Sequence, residues 1–117
     1  MSNTNSSAYL RFLNLIDAID RIAPGKKLDH TEESLLNTIV LNFQAKKSVL
    51  VGDLISLSAL GSQATLHGRL KTLSAMGYIK MAENEDGRKK EVIPTKLALK
   101  RYEELSKCLE KAVKAAS

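Results

Sequence analysis

The sequence contains little that would support a disulfide-bonded, metal-binding or membrane-spanning protein. Cys108 is the single cysteine, which excludes an intramolecular disulfide and a multi-cysteine metal site. The two histidines, His30 and His67, lie far apart in the sequence. No apolar run approaches the length that crosses a bilayer, and the polar N-terminus has neither the basic nor the apolar region of a secretory signal. We therefore expect a cytoplasmic protein without membrane contact, metal or cofactor.

Aromatic residues are few and tryptophan is absent, so the core must consist mainly of leucine, isoleucine, valine and alanine. The length of 117 residues fits one domain with a modest core. The formal net charge of +5 favours a polyanionic partner, although many small proteins are basic for other reasons. The chain has no Ser-His-Asp order around a nucleophile elbow and no phosphate-binding glycine-rich loop, so we do not expect an enzyme.

The stretch after Leu60 predicts an amphipathic helix. Ser62 can cap its N-terminus by accepting backbone N–H bonds of the first turn. Leu66, Leu70 and Leu73 follow at i, i+4 and i+7 and form one stripe that faces a core. Small residues on the opposite face allow close approach to another surface, and its Thr, His and Lys side chains can donate to phosphates or base edges. This face comprises Gly61, Ala64, Thr65, Gly68 and Lys71, with His67 and Thr72 at its edges.

A charged β-hairpin is predicted after this helix. Gly77 ends the helix, as glycine does at C-caps, and residues 78–81 and 91–93 are typical of two short strands. Asp86-Gly87 between them is a strong turn signal. The hairpin tip then presents Arg88, Lys89 and Lys90. A helix followed by a basic hairpin predicts a winged helix-turn-helix, whose helix suits the major groove and whose wing arginine suits the minor groove.

Three further helices and a supporting helix complete the prediction. Asp29-His30-Thr31-Glu32 has the form of a capping box that begins a helix of residues 30–45, and residues 51–58 form the supporting helix. A very short strand near residues 49–50 can pair with the wing. The predicted fold is mainly α (α+β): a single winged-helix domain of residues 1–117 with an N-terminal helix (7–22), a core (28–94) and a C-terminal helix (95–115).

Several short motifs resemble the MarR-type winged-helix regulators in order and spacing, over residues 28–105. They are Leu28-Asp29-His30-Thr31-Glu32, Val51-Gly52-Asp53-Leu54-Ile55, Leu60-Gly61-Ser62, Ala64-Thr65-Leu66, Leu70-Lys71-Thr72-Leu73, Gly77-Tyr78-Ile79, Asp86-Gly87-Arg88 and Pro94-Thr95. Gly68 departs from the family, which often places a basic groove-reading residue at this position.

The resemblance implies a sequence-specific DNA-binding transcriptional regulator, a homodimer on a pseudo-palindromic operator. It implies that Ser62, Gln63, Thr65 and His67 lie at the major groove, and that Arg88 enters the minor groove with Asp86 bracing the wing. The candidate contacts with double-stranded DNA are Ser62, Gln63, Ala64, Thr65, His67, Gly68, Arg69, Lys71, Arg88, Lys89 and Lys90. The candidate dimer interface lies on the terminal helices and comprises Tyr9, Phe12, Leu13, Ile16, Ile19, Tyr102, Leu105, Leu109 and Val113.

Three other functions remain open at this point. A winged-helix adaptor or antirepressor that binds protein is favoured by Gly68 and by the acidic residues beside the wing, Glu83, Glu85 and Asp86. A redox- or ligand-responsive switch in the same fold would need an accessible Cys108 or an effector site. A small enzyme ranks last. Lys46 and Lys47 fit a DNA-backbone contact and an ordinary loop equally well.

Overall fold

Five helices and one β-hairpin make up the part of the chain that the computed structural model describes, residues 4–22, 27–83 and 89–116. The mainly helical fold class and the order of elements are as predicted. The contacts divide the chain into two compact units, one containing α1 and the part of α5 from Lys100 onward, and the other extending from Leu28 to Leu99. The expectation of a single domain stays a prediction. The elements are α1 (Thr4–Ile22), α2 (His30–Gln44), α3 (Val51–Ile55), α4 (Gln63–Ala75), β1 (Ile79–Glu83), β2 (Lys90–Pro94) and α5 (Lys96–Ala116).

Helix α2 begins with the predicted capping box. The Asp29 carboxylate accepts a hydrogen bond from the Glu32 backbone N–H at 2.7 Å, and the Glu32 carboxylate accepts one from the Asp29 N–H at 2.9 Å. These bonds satisfy two backbone donors, one of them from the first helical turn, that would otherwise lack a partner. The buried side of the helix carries Leu35, Leu36, Ile39 and Val40. The same periodicity predicts that Phe43 is buried on this side, but it is 46% exposed near the end of the helix.

Helix α3 is shorter than predicted and ends at Ile55 rather than at Ser58. After Leu54 the backbone bonds change to tight turns, with the N–H of Leu57 donating to Leu54 O at 3.2 Å. The Ser56 hydroxyl donates to the carbonyl of Gly52 at 2.7 Å. Gly52 and Ser56 favour the early end of α3. Glycine loses more backbone entropy in a helix than other residues do, and the serine hydroxyl competes for backbone hydrogen-bonding groups.

Strands β1 and β2 pair antiparallel, with Ile79 opposite Pro94 and Glu83 opposite Lys90. The short segment before α3 joins them through an isolated antiparallel bridge between Leu50 and Glu91. The predicted pairing of residues 49–50 with the wing is thus confirmed, as a single bridge rather than a strand. Pro94 ends β2 and does not enter the last helix. Thr95 caps α5 instead, since its hydroxyl accepts from the Ala98 N–H at 3.3 Å.

The core of the unit from Leu28 to Leu99 joins α2, α3, α4 and the hairpin. Gly77 ends α4 at φ +85°, and the Tyr78 N–H then donates to the carbonyl of Leu73 at 3.0 Å. A side chain at this φ would be strained, so the predicted glycine cap is confirmed. The largest fully buried side chains are Leu35, Leu36, Ile39, Leu54, Leu66, Leu70, Leu73 and Tyr78.

The unit formed by α1 and the C-terminal part of α5 leaves several large apolar side chains in solvent. Tyr9 and Leu13 of α1 are 61% and 41% exposed, and Leu109 and Val113 of α5 are 50% and 51% exposed. Ala112 is fully buried. Neither these helices nor the other described ones combine the length and the apolar character that a membrane span requires.

Candidate nucleic-acid interface

Helix α4 begins with the predicted serine cap. The Ser62 hydroxyl accepts a hydrogen bond from the Thr65 N–H at 3.2 Å and donates to the Thr65 hydroxyl at 3.0 Å. Gly61, at φ +154°, forms the turn that leads into this cap. The two hydroxyls therefore lie together at the exposed N-terminal end of α4, where backbone N–H groups also favour an anionic partner.

The two faces of α4 differ as the sequence predicted. Leu66, Leu70 and Leu73 are buried in the core. The opposite face is exposed, and at its centre Ala64, Gly68 and Lys71 follow one another at helical spacing. The structure thus brings most of the predicted α4 contacts to one surface of the helix, with exposed side chains at Ser62, Gln63, Ala64, Thr65, His67 and Lys71 and an exposed backbone at Gly68.

A cleft of about 650 Å³ separates this face of α4 from the wing. His67 and Lys71 line it from α4, and Met81, Lys89 and Lys90 line it from the hairpin. Both predicted wing lysines thus reach the same cleft as the helix face. Arg88, Asp86 and Glu85 lie outside the described residues. Lysine ammonium groups on two sides of one cleft can neutralise phosphates of a bound nucleic acid.

The third wall of the cleft contains no residue that the sequence analysis predicted as a DNA contact. It is formed by Leu50, Val51, Gly52 and Asp53 at the start of α3. The Asp53 carboxylate accepts a hydrogen bond from the Leu50 N–H at 3.0 Å, so it caps this short helix while adding one negative charge to the cleft. An Asp three residues after a strand end is the signal that could have located this wall.

Arg69 differs from the other predicted contacts on α4. Its guanidinium lies 3.2 Å from the Asp29 carboxylate and 3.6 Å from the Glu32 carboxylate, at the start of α2. Arg69 does not line the cleft that His67 and Lys71 share. Helix α4 therefore directs Lys71 toward the cleft and Arg69 toward α2. In the sequence both residues are grouped by their positive charge, which does not separate them.

Lys46 and Lys47 also lie away from the α4 cleft. They line a separate cavity of about 500 Å³ with Phe43, Gln44, Ser48 and Glu91. The Ser48 hydroxyl donates to the Glu91 carboxylate at 3.1 Å, which ties the loop after α2 to the wing. The two loop lysines thus belong to a different surface from the candidate DNA-contacting residues of α4.

Metal chemistry receives no support from the described residues, which contain no group of three or more His, Cys, Asp or Glu side chains that could hold an ion. Cys108 is half-buried on α5. His30 and His67 are both exposed, one at the start of α2 and the other in the α4 cleft.

Two solved structures are similar to this chain in fold. One is BpsR of Bordetella bronchiseptica, whose DNA binding is regulated by 6-hydroxynicotinic acid; it has a TM-score of 0.56 and 20% sequence identity, over 93% of this chain and 73% of BpsR. The other is a MarR protein from Peptoclostridium difficile, with a TM-score of 0.58 and 20% identity, over 95% of this chain and 67% of that one. No family model and no curated protein sequence matches the chain. The fold is the winged helix-turn-helix of MarR-type proteins.

Proposed function

We propose that this chain is a cytoplasmic transcriptional regulator that binds double-stranded DNA through α4 and the wing. The observation that carries the proposal is the cleft in which His67 and Lys71 of α4 face Lys89 and Lys90 of the hairpin. The helix face beside it has small residues at Ala64 and Gly68, which permit close approach to base edges. Gln63, Thr65 and His67 supply donors and acceptors that can read bases.

We further propose a homodimer that occupies two half-sites about one helical turn apart. The support is the set of large apolar side chains on α1 and α5 that stay exposed in the single chain, Tyr9, Leu13, Leu109 and Val113. Phe12, Ile16, Tyr102 and Leu105 are half-buried, and the Ile19 side chain lies outside those that the structure describes. A dimer bound at a promoter would act as a repressor by excluding polymerase or an activator.

A salt titration of DNA binding tests the proposal. The probe is a labelled duplex that the wild-type protein selects from a randomised pool, and an unrelated duplex of equal length measures preference. The association constant should fall steeply with salt, because bound lysines displace counterions from the DNA. In a plot of log association constant against log salt concentration, each contacted phosphate should add about 0.9 to the magnitude of the slope. The selected duplex should bind more tightly than the unrelated one at every salt concentration.

Two charge-removing variants make the test specific to the cleft. Lys71→Gln should lower the salt slope by about 1 per protomer on both duplexes, and therefore by about 2 for a bound dimer. Lys107→Gln removes the same charge from α5, where Lys107 pairs with Glu103 and Glu104, and should leave the slope unchanged. Binding that is weak, flat with salt and without preference would overturn the proposal and favour a protein-binding adaptor.

A further inference from the structure

The Arg69 guanidinium forms ion pairs with both acids of the capping box at the start of α2. One oxygen of each carboxylate is already occupied by the capping box, Asp29 Oδ1 by the Glu32 N–H and Glu32 Oε1 by the Asp29 N–H. The remaining oxygens face Arg69, with Asp29 Oδ2 3.2 Å from Nη2 and Glu32 Oε2 3.6 Å from Nη1. All four carboxylate oxygens therefore have a partner, and one side chain of α4 engages both acids.

The burial of Glu32 makes this contact more than a surface ion pair. Its side chain is 3% exposed, whereas those of Asp29 and Arg69 are 41% and 44% exposed. An ionised carboxylate that is removed from water needs hydrogen bonds and a counter-charge, and here Arg69 supplies the counter-charge. The pairing thus holds the guanidinium toward α2 rather than toward the cleft.

The contact also has a directional effect that the core lacks. Leu66, Leu70 and Leu73 hold α4 by apolar packing, which is strong but non-directional. Nη2 and Nη1 of Arg69 lie beside carboxylates at two defined positions on another helix, so rotation or axial shift of α4 would lengthen these ion-pair distances. Base reading depends on the rotation and the axial position of α4, because side chains must meet base edges within hydrogen-bonding distance.

We infer that Arg69 is a positioning residue for groove reading, which locks α4 onto the capping box of α2 and makes no DNA contact itself. The inference rests on the proposed DNA-binding function. It divides the basic residues of α4 by role: Lys71 neutralises phosphate, and Arg69 sets the orientation in which Gln63, Thr65 and His67 meet the bases.

Paired variants separate positioning from direct contact. Arg69→Gln removes both ion pairs and Glu32→Gln removes the one with the buried carboxylate. Both should reduce affinity for the selected duplex, Arg69→Gln by about tenfold or more, while affecting the unrelated duplex little. The salt slope should equal that of the wild type in both, in contrast to Lys71→Gln. The double variant should bind no more weakly than Arg69→Gln alone, because the ion pair that Glu32→Gln removes is already absent there.

The opposite results would identify Arg69 as a DNA contact. In that case Arg69→Gln lowers the salt slope by about 1 per protomer, and Glu32→Gln removes one of the two ion pairs that hold the guanidinium and raises affinity. Binding is measured at a temperature at which circular dichroism shows that every variant is folded. If Arg69→Gln does not fold, Arg69→Lys keeps the charge but loses the fork, and should lower preference for the selected duplex at an unchanged slope. Wild-type protein without DNA binding would overturn the proposed function and this inference together, whereas wild-type binding with a reduced slope in Arg69→Gln overturns the inference alone.

Discussion

The hydroxyl of Thr95 donates a hydrogen bond of 2.6 Å to the carbonyl oxygen of Gly77. The same hydroxyl oxygen accepts from the Ala98 N–H at 3.3 Å, and the Thr95 N–H donates to Tyr78 O at 3.0 Å. One residue therefore caps α5 and fastens the turn that ends α4. The C-terminal end of the proposed recognition helix is held by this contact, as its middle is held by Arg69.

Thr95→Val should lower the free energy of unfolding by about 1–2 kcal/mol, because it removes both the helix cap and the donor to Gly77. Urea unfolding followed by circular dichroism measures the change. Thr95→Ser keeps the hydroxyl and serves as the control, with an expected loss below about 0.5 kcal/mol. A Thr95→Val protein as stable as the wild type would show that the hydroxyl does not stabilise this junction.

Lys46 occupies a backbone conformation that suits glycine. It follows α2 at φ +60°, and its neighbour Lys47 donates its N–H to Asn42 O at 2.9 Å, which closes the helix end. A side chain in the left-handed region costs about 1–2 kcal/mol relative to the right-handed one. Lys46→Gly should therefore raise the free energy of unfolding by up to about 1 kcal/mol, despite the greater entropy of glycine in the unfolded chain.

Lys47→Gly is the matched control for this prediction. It removes the same charge and the same side chain one residue later, where φ is not positive. Its effect should be neutral or destabilising, since glycine there only adds unfolded-state entropy. Thermal unfolding at several salt concentrations separates charge from backbone effects, because the backbone gain does not depend on salt. A stabilisation of Lys46→Gly that disappears at high salt would contradict the backbone explanation.

Local signals in the sequence were sufficient to predict most of the fold. The capping box at Asp29 and Glu32, the serine cap at Ser62 and the glycine at position 77 each act through neighbouring residues, and all three are confirmed. The leucine stripe of α4 is confirmed for the same reason. The predicted end of α3 was wrong, because tight turns compete there with helix formation.

The candidate site was less accessible to sequence reasoning. The exposed face of α4 follows from helical periodicity alone, so its members could be named in advance. The role of Arg69 could not be predicted from the sequence, because its partners Asp29 and Glu32 lie about forty residues earlier in the chain. The same holds for Asp53 and the apolar wall beside it, which enter the cleft only through the tertiary fold.

Gly68 offers a test of how closely α4 approaches its partner. A methyl group at this position would meet no protein atom within 4 Å. Gly68→Ala should therefore raise the free energy of unfolding by about 0.5–1 kcal/mol, because alanine is the better helix former. The same methyl group points from the exposed face of α4, so affinity for the selected duplex should fall several-fold if the backbone lies close to DNA there.

The opposite signs of the two effects make the Gly68 prediction specific. Urea unfolding and DNA binding are measured on the same preparation, so a loss of affinity cannot be attributed to a loss of fold. A variant that is more stable and binds as tightly as the wild type would show that α4 does not approach DNA closely at Gly68. The proposed interface would then centre on the N-terminal end of the helix, at Ser62 and Gln63.

The proposed dimer can be tested without disturbing the single chain. Leu109 is 50% exposed, so Leu109→Asp should leave the helical content unchanged, but it would place an unpaired charge in the proposed apolar interface. Size-exclusion chromatography with light scattering should then report a monomer. Lys111→Asp places the same carboxylate at an exposed position on the opposite side of the helix and should remain dimeric. Monomeric Leu109→Asp should also bind an operator of two half-sites with no more affinity than a single half-site, because the gain from linking two sites is lost. A Leu109→Asp protein that is still dimeric would place the interface on other residues of α1 and α5 or exclude these helices from it.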